Sequence, residues 1–174
     1  MGLNVINNEI VKQGFMIHLE IPSFSSDLMK QFMKPSNEST YEHPLMEYLS
    51  HFIDEAKKLM NDKIKFVPDT AHMFANGCDS ISDFKQIFEK YDDIIEYVHL
   101  NGNINYMHKM DKHCPIFSEY NRIKCWEDLS KYISTRGKIC ISEITKITSD
   151  WEHWEQFANE YGFKLNTFNE KYTI

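Results

Sequence analysis

The chain has 174 residues, of which 42% are hydrophobic and 14% aromatic, and it carries a formal net charge of −7 at pH 7. This length and composition predict one globular domain, over residues 1–174, that can bury a sizeable core. The negative charge argues against a simple nucleic-acid-binding module, because Lys and Arg normally neutralise the phosphates. That objection weakens if acidic residues hold divalent cations where a phosphate would lie.

Apolar residues recur along the chain in two alternating patterns. Short runs rich in β-branched residues predict buried strands at Phe15–Ile21, Ile64–Val67, Ile94–Leu100 and Lys138–Ile144. Segments with apolar residues at helical spacing follow these runs at Pro44–Met60, Ser82–Tyr91, Trp126–Ile133 and Trp151–Tyr161. Pro44 suits the first turn of its helix, and Gly162 suits the end of the last one.

Four strand and helix units in succession predict an α/β fold with parallel strands, either an open sheet or part of a barrel. Four units are half of an eight-fold barrel. Two connections, Pro22–Thr40 and Asn101–Cys125, are long enough to be active-site loops.

The sequence also gives expectations about the compartment. No apolar run approaches the roughly 20 residues that cross a bilayer, and Met1–Gln13 lacks a basic segment followed by an apolar one. The four cysteines show no CxxC spacing, so neither a zinc ribbon nor a disulfide framework is indicated. We therefore expect a protein without membrane contact that stays inside the cell, in the cytoplasm or nucleus, and is not secreted.

Side chains that bind metals fall at the carboxyl ends of the predicted strands, where parallel α/β folds build their active sites. The strand-end residues are Glu20, Asp69, His99 and Glu143, and further candidates are His72, Asp111 and His113. A mixed carboxylate and imidazole set suits zinc or manganese rather than calcium. The set exceeds what one tetrahedral ion uses, so it predicts a cluster of two or three ions.

Several segments, in chain order, carry a resemblance to a known family. They are Leu19-Glu-Ile-Pro22, Asp69-Thr-Ala-His-Met-Phe-Ala-Asn-Gly-Cys-Asp79, Val98-His-Leu-Asn101, Asp111-Lys-His113 and Ser142-Glu-Ile-Thr145. Together they resemble the second half of the barrel of the endonuclease IV family, the type 2 apurinic/apyrimidinic endonucleases. The resemblance covers essentially the whole chain.

The resemblance implies a TIM-barrel-like, xylose isomerase-like half-barrel of about four βα units that lacks the N-terminal half of the family barrel. It implies one zinc ion held by Asp69, His99 and Glu143 together with bridging Glu20. A second ion would be held by the set His72, Asp111 and His113. A third ion would need two histidines from the missing half, for which His18 is an ambiguous substitute.

The activity that the resemblance implies is base-excision repair. A zinc-dependent, DNA-binding hydrolase would cut the phosphodiester 5′ of an abasic site in damaged duplex DNA and leave a 3′-hydroxyl, with Glu20 and Glu143 as catalytic residues. A related alternative is a sugar isomerase or epimerase, which would use fewer loop ligands. The alternative from another class is a non-catalytic remnant or partner subunit, since half a barrel exposes two sheet edges and calls for a homodimer or a separate N-terminal half.

Overall fold

Strands and helices alternate along the part of the chain that the computed structural model describes, namely Gln13 and residues 16–23, 44–59, 63–105, 112–144 and 151–164. The strands are β1 (Ile17–Glu20), β2 (Ile64–Val67), β3 (Tyr97–His99), β4 (Gly102–Asn103), β5 (His113–Cys114) and β6 (Ile139–Ile141). The α-helices are α1 (Pro44–Leu59), α2 (Thr70–Ala75), α3 (Ile81–Lys90), α4 (Trp126–Thr135) and α5 (Trp151–Tyr161).

Four of these strands run parallel and lie side by side. β1 pairs with β2, and β3 pairs with β6. Isolated parallel bridges, Phe66 to Ile95 and Asp69 to His99, place β2 beside β3. The resulting order is β1-β2-β3-β6, with all carboxyl ends at one edge. The structure therefore has the α/β class with parallel strands, and its described residues do not close a barrel.

The two faces of this sheet differ because side chains alternate along a strand. Leu19 lies opposite Phe66 in the ladder and Val98 lies opposite Cys140, and these four side chains face the helices. The core beneath them is lined by apolar residues of the helices: Leu49, Ile53, Phe84, Ile87, Phe88, Leu129, Ile133, Trp154 and Phe157. The opposite face is left for the side chains that form the site described below.

Local sequence explains where individual helices begin and end. Ser80 caps α3 in a capping box, in which its hydroxyl accepts from the main-chain nitrogen of Asp83 while the Asp83 carboxylate accepts from that of Ser80. Helix α5 is followed by Gly162, whose φ of 78° is a left-handed conformation that glycine adopts without steric cost. The predicted end of this helix is confirmed.

Other predicted boundaries are wrong. The third strand begins at Tyr97 rather than Ile94, because Asp92–Ile94 forms a short 3₁₀ turn in which the Ile94 main chain donates to the Tyr91 carbonyl. The fourth ends at Ile141, because the Glu143 nitrogen donates to a side chain instead of a neighbouring strand. The connection Asn101–Cys125, predicted as a loop, contains the antiparallel pair β4 and β5. Helix α2 was not predicted.

Two expectations about the chemistry of the chain can be compared with the described residues. No described helix combines the length and the apolar character that crossing a membrane requires. All four cysteines are free thiols in the structure. Burial raises the pKa of Cys140 to about 12, so its reactive thiolate is scarce at neutral pH.

Candidate metal centre

Asp69 forms the floor of the site, with none of its side chain exposed. It follows β2 and caps the start of α2, where its Oδ1 accepts from the nitrogens of Ala71 at 2.7 Å and His72 at 3.2 Å. Its Oδ2 accepts from Nδ2 of Asn101 at 2.7 Å. Burial raises the pKa of this carboxyl, although the nearby imidazoles oppose the shift. Both carboxylate oxygens are thus held in fixed directions.

The first group of ligand-type residues surrounds the imidazole of His99. Its Nδ1 lies 3.2 Å from Glu143 Oε2, 3.6 Å from Glu20 Oε1 and 3.7 Å from Asp69 Oδ2. One ligand atom from each of these four residues lies within 4.8 Å of the others. The carboxyl ends of β1, β2, β3 and β6 each contribute one member, as parallel strands allow.

The second group adjoins the first and shares Asp69 with it. It consists of Asp69, His72 and His113, whose ligand atoms also lie within 4.8 Å of one another. His113 Nε2 is 3.6 Å from Asp69 Oδ2, and the rings of His72 and His113 are 5.4 Å apart between centroids. Glu20 Oε1 also lies 3.1 Å from His72 Nδ1, so Glu20 touches both groups.

The tautomer of His72 follows from its surroundings. Its Nδ1 lies 2.8 Å from the carbonyl oxygen of Ile21, and a carbonyl can only accept a hydrogen bond. Nδ1 therefore carries the proton, and in the neutral ring Nε2 carries the lone pair. The lone pair on Nε2 is then free to bind a metal ion, and metal-binding histidines commonly donate their other nitrogen to a main-chain carbonyl in this way.

The donor set fits a divalent cation. His99 Nδ1 is buried and has no hydrogen-bond partner among the described residues, although three carboxylates surround it. Three negative groups this close repel one another unless positive charge lies between them. Asp69 is buried, whereas the side chains of Glu20 and Glu143 are each 37% exposed. The centre is therefore open to solvent on the side of the two glutamates.

The structure brings together six of the seven metal ligands that the sequence predicts, four in the first group and three in the second with Asp69 in common. The seventh, Asp111, lies outside the described residues and remains a prediction. His18 belongs to neither group. Its Nε2 lies 3.1 Å from Glu96 Oε2, and its ring packs edge-on against Tyr97 at 4.5 Å.

Sequence reasoning did not assign a role to Asn101. Its side chain is fully buried and contacts two of the ligand residues, since Nδ2 donates to Asp69 and Oδ1 accepts from the Glu143 nitrogen at 3.1 Å. The available signal was its place two residues after His99 in the His-Leu-Asn segment at a strand end.

Comparison with known proteins gives a distant structural likeness. No protein-family model and no curated protein match the chain. The crystal structure of AsfvAP:AG aligns with 88% of this chain at 13% identity and a TM-score of 0.48. The alignment takes in 66% of that chain, so this chain spans less than two thirds of its length. A likeness of this strength does not assign the chain to a family.

Proposed function

We propose that the chain is a metal-dependent phosphodiesterase that cuts DNA on the 5′ side of an abasic nucleotide. The observation that carries the proposal is a buried aspartate, Asp69, shared by two adjoining groups of histidines and carboxylates. Paired sites of this kind suit an in-line displacement at phosphorus. We propose damaged DNA as the substrate because the order of these residues along the chain resembles that of the endonuclease IV family.

We assign different roles to the buried and the exposed residues of the site. Divalent cations held by the two groups, with zinc expected and manganese the alternative, would supply Lewis acidity and positive charge opposite a phosphate. Asp69 is buried and fixed by its helix cap, which suits it to hold the geometry. Glu20 and Glu143 are partly exposed, so their carboxylates could meet substrate, and Glu20, which contacts both His72 and His99, would orient the attacking water.

The acidity of the chain argues for a selective enzyme. A net charge of −7 leaves little general attraction for intact duplex DNA. Binding energy must then come from a phosphate at the metal centre and from a nucleotide that is already cheap to extrude from the stack. An abasic site satisfies both requirements, because no base pair has to be broken there.

The test is an incision assay on an end-labelled duplex with one abasic site and on the matched intact duplex. We expect the zinc-loaded chain to cut the abasic strand, to leave a 3′-hydroxyl and to lose activity with a chelator. Equal cutting of both duplexes would overturn the selectivity. No cutting with zinc or manganese would overturn the enzymatic proposal.

Glu143→Gln is the matched variant for this assay, because it removes one negative charge with little change in volume. We expect incision to fall at least about tenfold while the fold survives, since the charge and geometry at the metal would change. The control is Glu96→Gln, which alters an exposed glutamate that pairs with His18 outside both groups and should leave incision unchanged. Full activity in Glu143→Gln would contradict the assigned role.

A second candidate function is that of a partner subunit. It is favoured by Ile139 and Ile141, which are 57% and 41% exposed on β6. Exposed apolar side chains on a strand are suited to another protein surface. Stoichiometric zinc without incision, followed by incision when a second chain is added, would select this alternative.

A further inference from the structure

Asn101 occupies the junction between the strands that bear the metal ligands. It lies two residues after His99, is fully buried, and its main-chain nitrogen donates to the Thr70 hydroxyl at 2.9 Å. Thr70 is the first residue of α2, the helix that Asp69 caps. The backbone of Asn101 is therefore held in a fixed position relative to Asp69.

The carboxamide of Asn101 bridges two ligand residues that are far apart in sequence. Its Nδ2 donates to Asp69 Oδ2 at 2.7 Å, and its Oδ1 accepts from the Glu143 nitrogen at 3.1 Å. The asparagine carboxamide has an NH₂ group that donates and an oxygen that accepts, and this position uses both. Aspartate would place an acceptor against the Asp69 oxygen, and leucine would offer neither group.

We propose that Asn101 is a positioning residue of the metal centre, which sets the direction of Asp69 Oδ2 and the location of residue 143. The proposal rests on the metal binding in the proposed function. Asn101 holds the Asp69 Oδ2 oxygen directly and the backbone of residue 143, and Asp69 Oδ2 and Glu143 Oε2 lie 3.7 Å and 3.2 Å from His99 Nδ1. Groups that orient metal ligands in this way typically contribute 10–100-fold to metal affinity.

The experiment compares the metal-free wild-type chain with Asn101→Leu, which removes both hydrogen bonds at similar volume. Co²⁺ titration followed by visible absorbance reports affinity and ligand geometry, and urea unfolding of the metal-free protein reports stability. The control is Tyr91→Phe, which removes the hydrogen bonds of the Tyr91 hydroxyl, just after α3, to Ser50 and Asp54 of α1. It should lose stability without a change in metal binding.

We expect Asn101→Leu to bind Co²⁺ at least about tenfold more weakly, with an altered spectrum, and Tyr91→Phe to bind it like the wild type. Wild-type affinity and spectrum in Asn101→Leu would overturn the positioning role and leave the proposed function standing. A wild-type chain that binds no Co²⁺, Zn²⁺ or Mn²⁺ would overturn both.

A measurement on the wild type covers the case in which Asn101→Leu does not fold. The ¹⁵N-labelled side-chain amide of Asn101 should exchange slowly with water and shift when Zn²⁺ is added, because it donates to a carboxylate of the site. A rapidly exchanging amide that zinc leaves unshifted would contradict the proposal.

Discussion

Gly102 shows how closely the chain is packed next to the metal centre. A Cβ at this position would lie 2.7 Å from Cγ of Asn121 and 2.9 Å from Sγ of Cys114. Contacts under 3.0 Å require one of the partners to shift. Gly102 follows Asn101 directly, so any shift would pass to the residue that bridges Asp69 and Glu143.

We expect Gly102→Ala to lower the free energy of unfolding by about 1–3 kcal/mol, the usual cost of overpacking a buried position. Urea unfolding of the metal-free chain measures it. Adding Cys114→Ala should recover part of the loss, because it removes one of the two clashing groups. Equal stability of Gly102→Ala and wild type would contradict the predicted cost, because it would mean that the neighbouring groups shift to accommodate the methyl group.

At the scale of residues, the sequence predicted the charged candidate ligands but not the residues that hydrogen-bond to them. Carboxylates and imidazoles at strand ends stand out because few structural roles need them there, and six such residues lie together in the structure. Asn101 carries a weaker signal, namely its place two residues after His99, because an uncharged asparagine after a strand fits many structural roles. Only the structure distinguishes its role from that of Asn121. The Asn101 side chain bonds to Asp69 and Glu143, whereas the Asn121 carboxamide bonds to main-chain groups away from the candidate ligands.

At the scale of elements, the short helix α2 links stability to the site. Asp69 both caps this helix and belongs to the two ligand groups. Asparagine caps helices about as well as aspartate does, whereas alanine does not. The two roles of Asp69 can therefore be separated by substitution.

We expect Asp69→Asn to keep the helix cap and to bind metal far more weakly. Its free energy of unfolding should fall by about 1 kcal/mol, because the hydrogen bond from Asn101 to the Asp69 carboxylate is lost. Asp69→Ala should lose the cap as well and be less stable than Asp69→Asn by about 0.5–2 kcal/mol. Thermal unfolding of the metal-free variants and zinc titration provide the two readouts. Equal stability of both variants would contradict the capping role.

Elements that a clear apolar pattern marks could be predicted from the sequence. Strand β2 and helix α5 have the predicted bounds, since a run of apolar residues and a helical stripe both mark them. Helix α2 has six residues and strands β4 and β5 have two each, too few for a period to emerge. Their formation depends on tertiary hydrogen bonds, such as that from Arg122 to the Asn103 carbonyl.

At the scale of the whole molecule, the candidate site lies on the face of the sheet opposite the one that packs against the described helices. His99 and Ile141 are partners in the β3–β6 ladder and therefore point to the same face. Among the described strands, β6 pairs only with β3, and Ile139 on it is 57% exposed. We propose that this face belongs to a half-barrel that a second copy or another chain covers.

We expect the chain to form a dimer at micromolar concentration, because an open parallel edge with apolar side chains favours association. Light scattering measures the mass. Ile139→Lys should weaken the dimer at least about tenfold without unfolding the chain, since charges at strand edges oppose edge-to-edge pairing. A stable wild-type monomer at this concentration would contradict the proposed association.

The central claim is that two adjoining groups at the strand ends hold metal, and elemental analysis of the gently purified chain tests it most directly. We predict about two divalent ions per chain, with zinc foremost, because two ligand groups are assembled. Asp69→Ala, which alters both groups, should retain neither ion. Wild-type protein that contains no zinc, manganese or iron and takes up none on dialysis would contradict the claim.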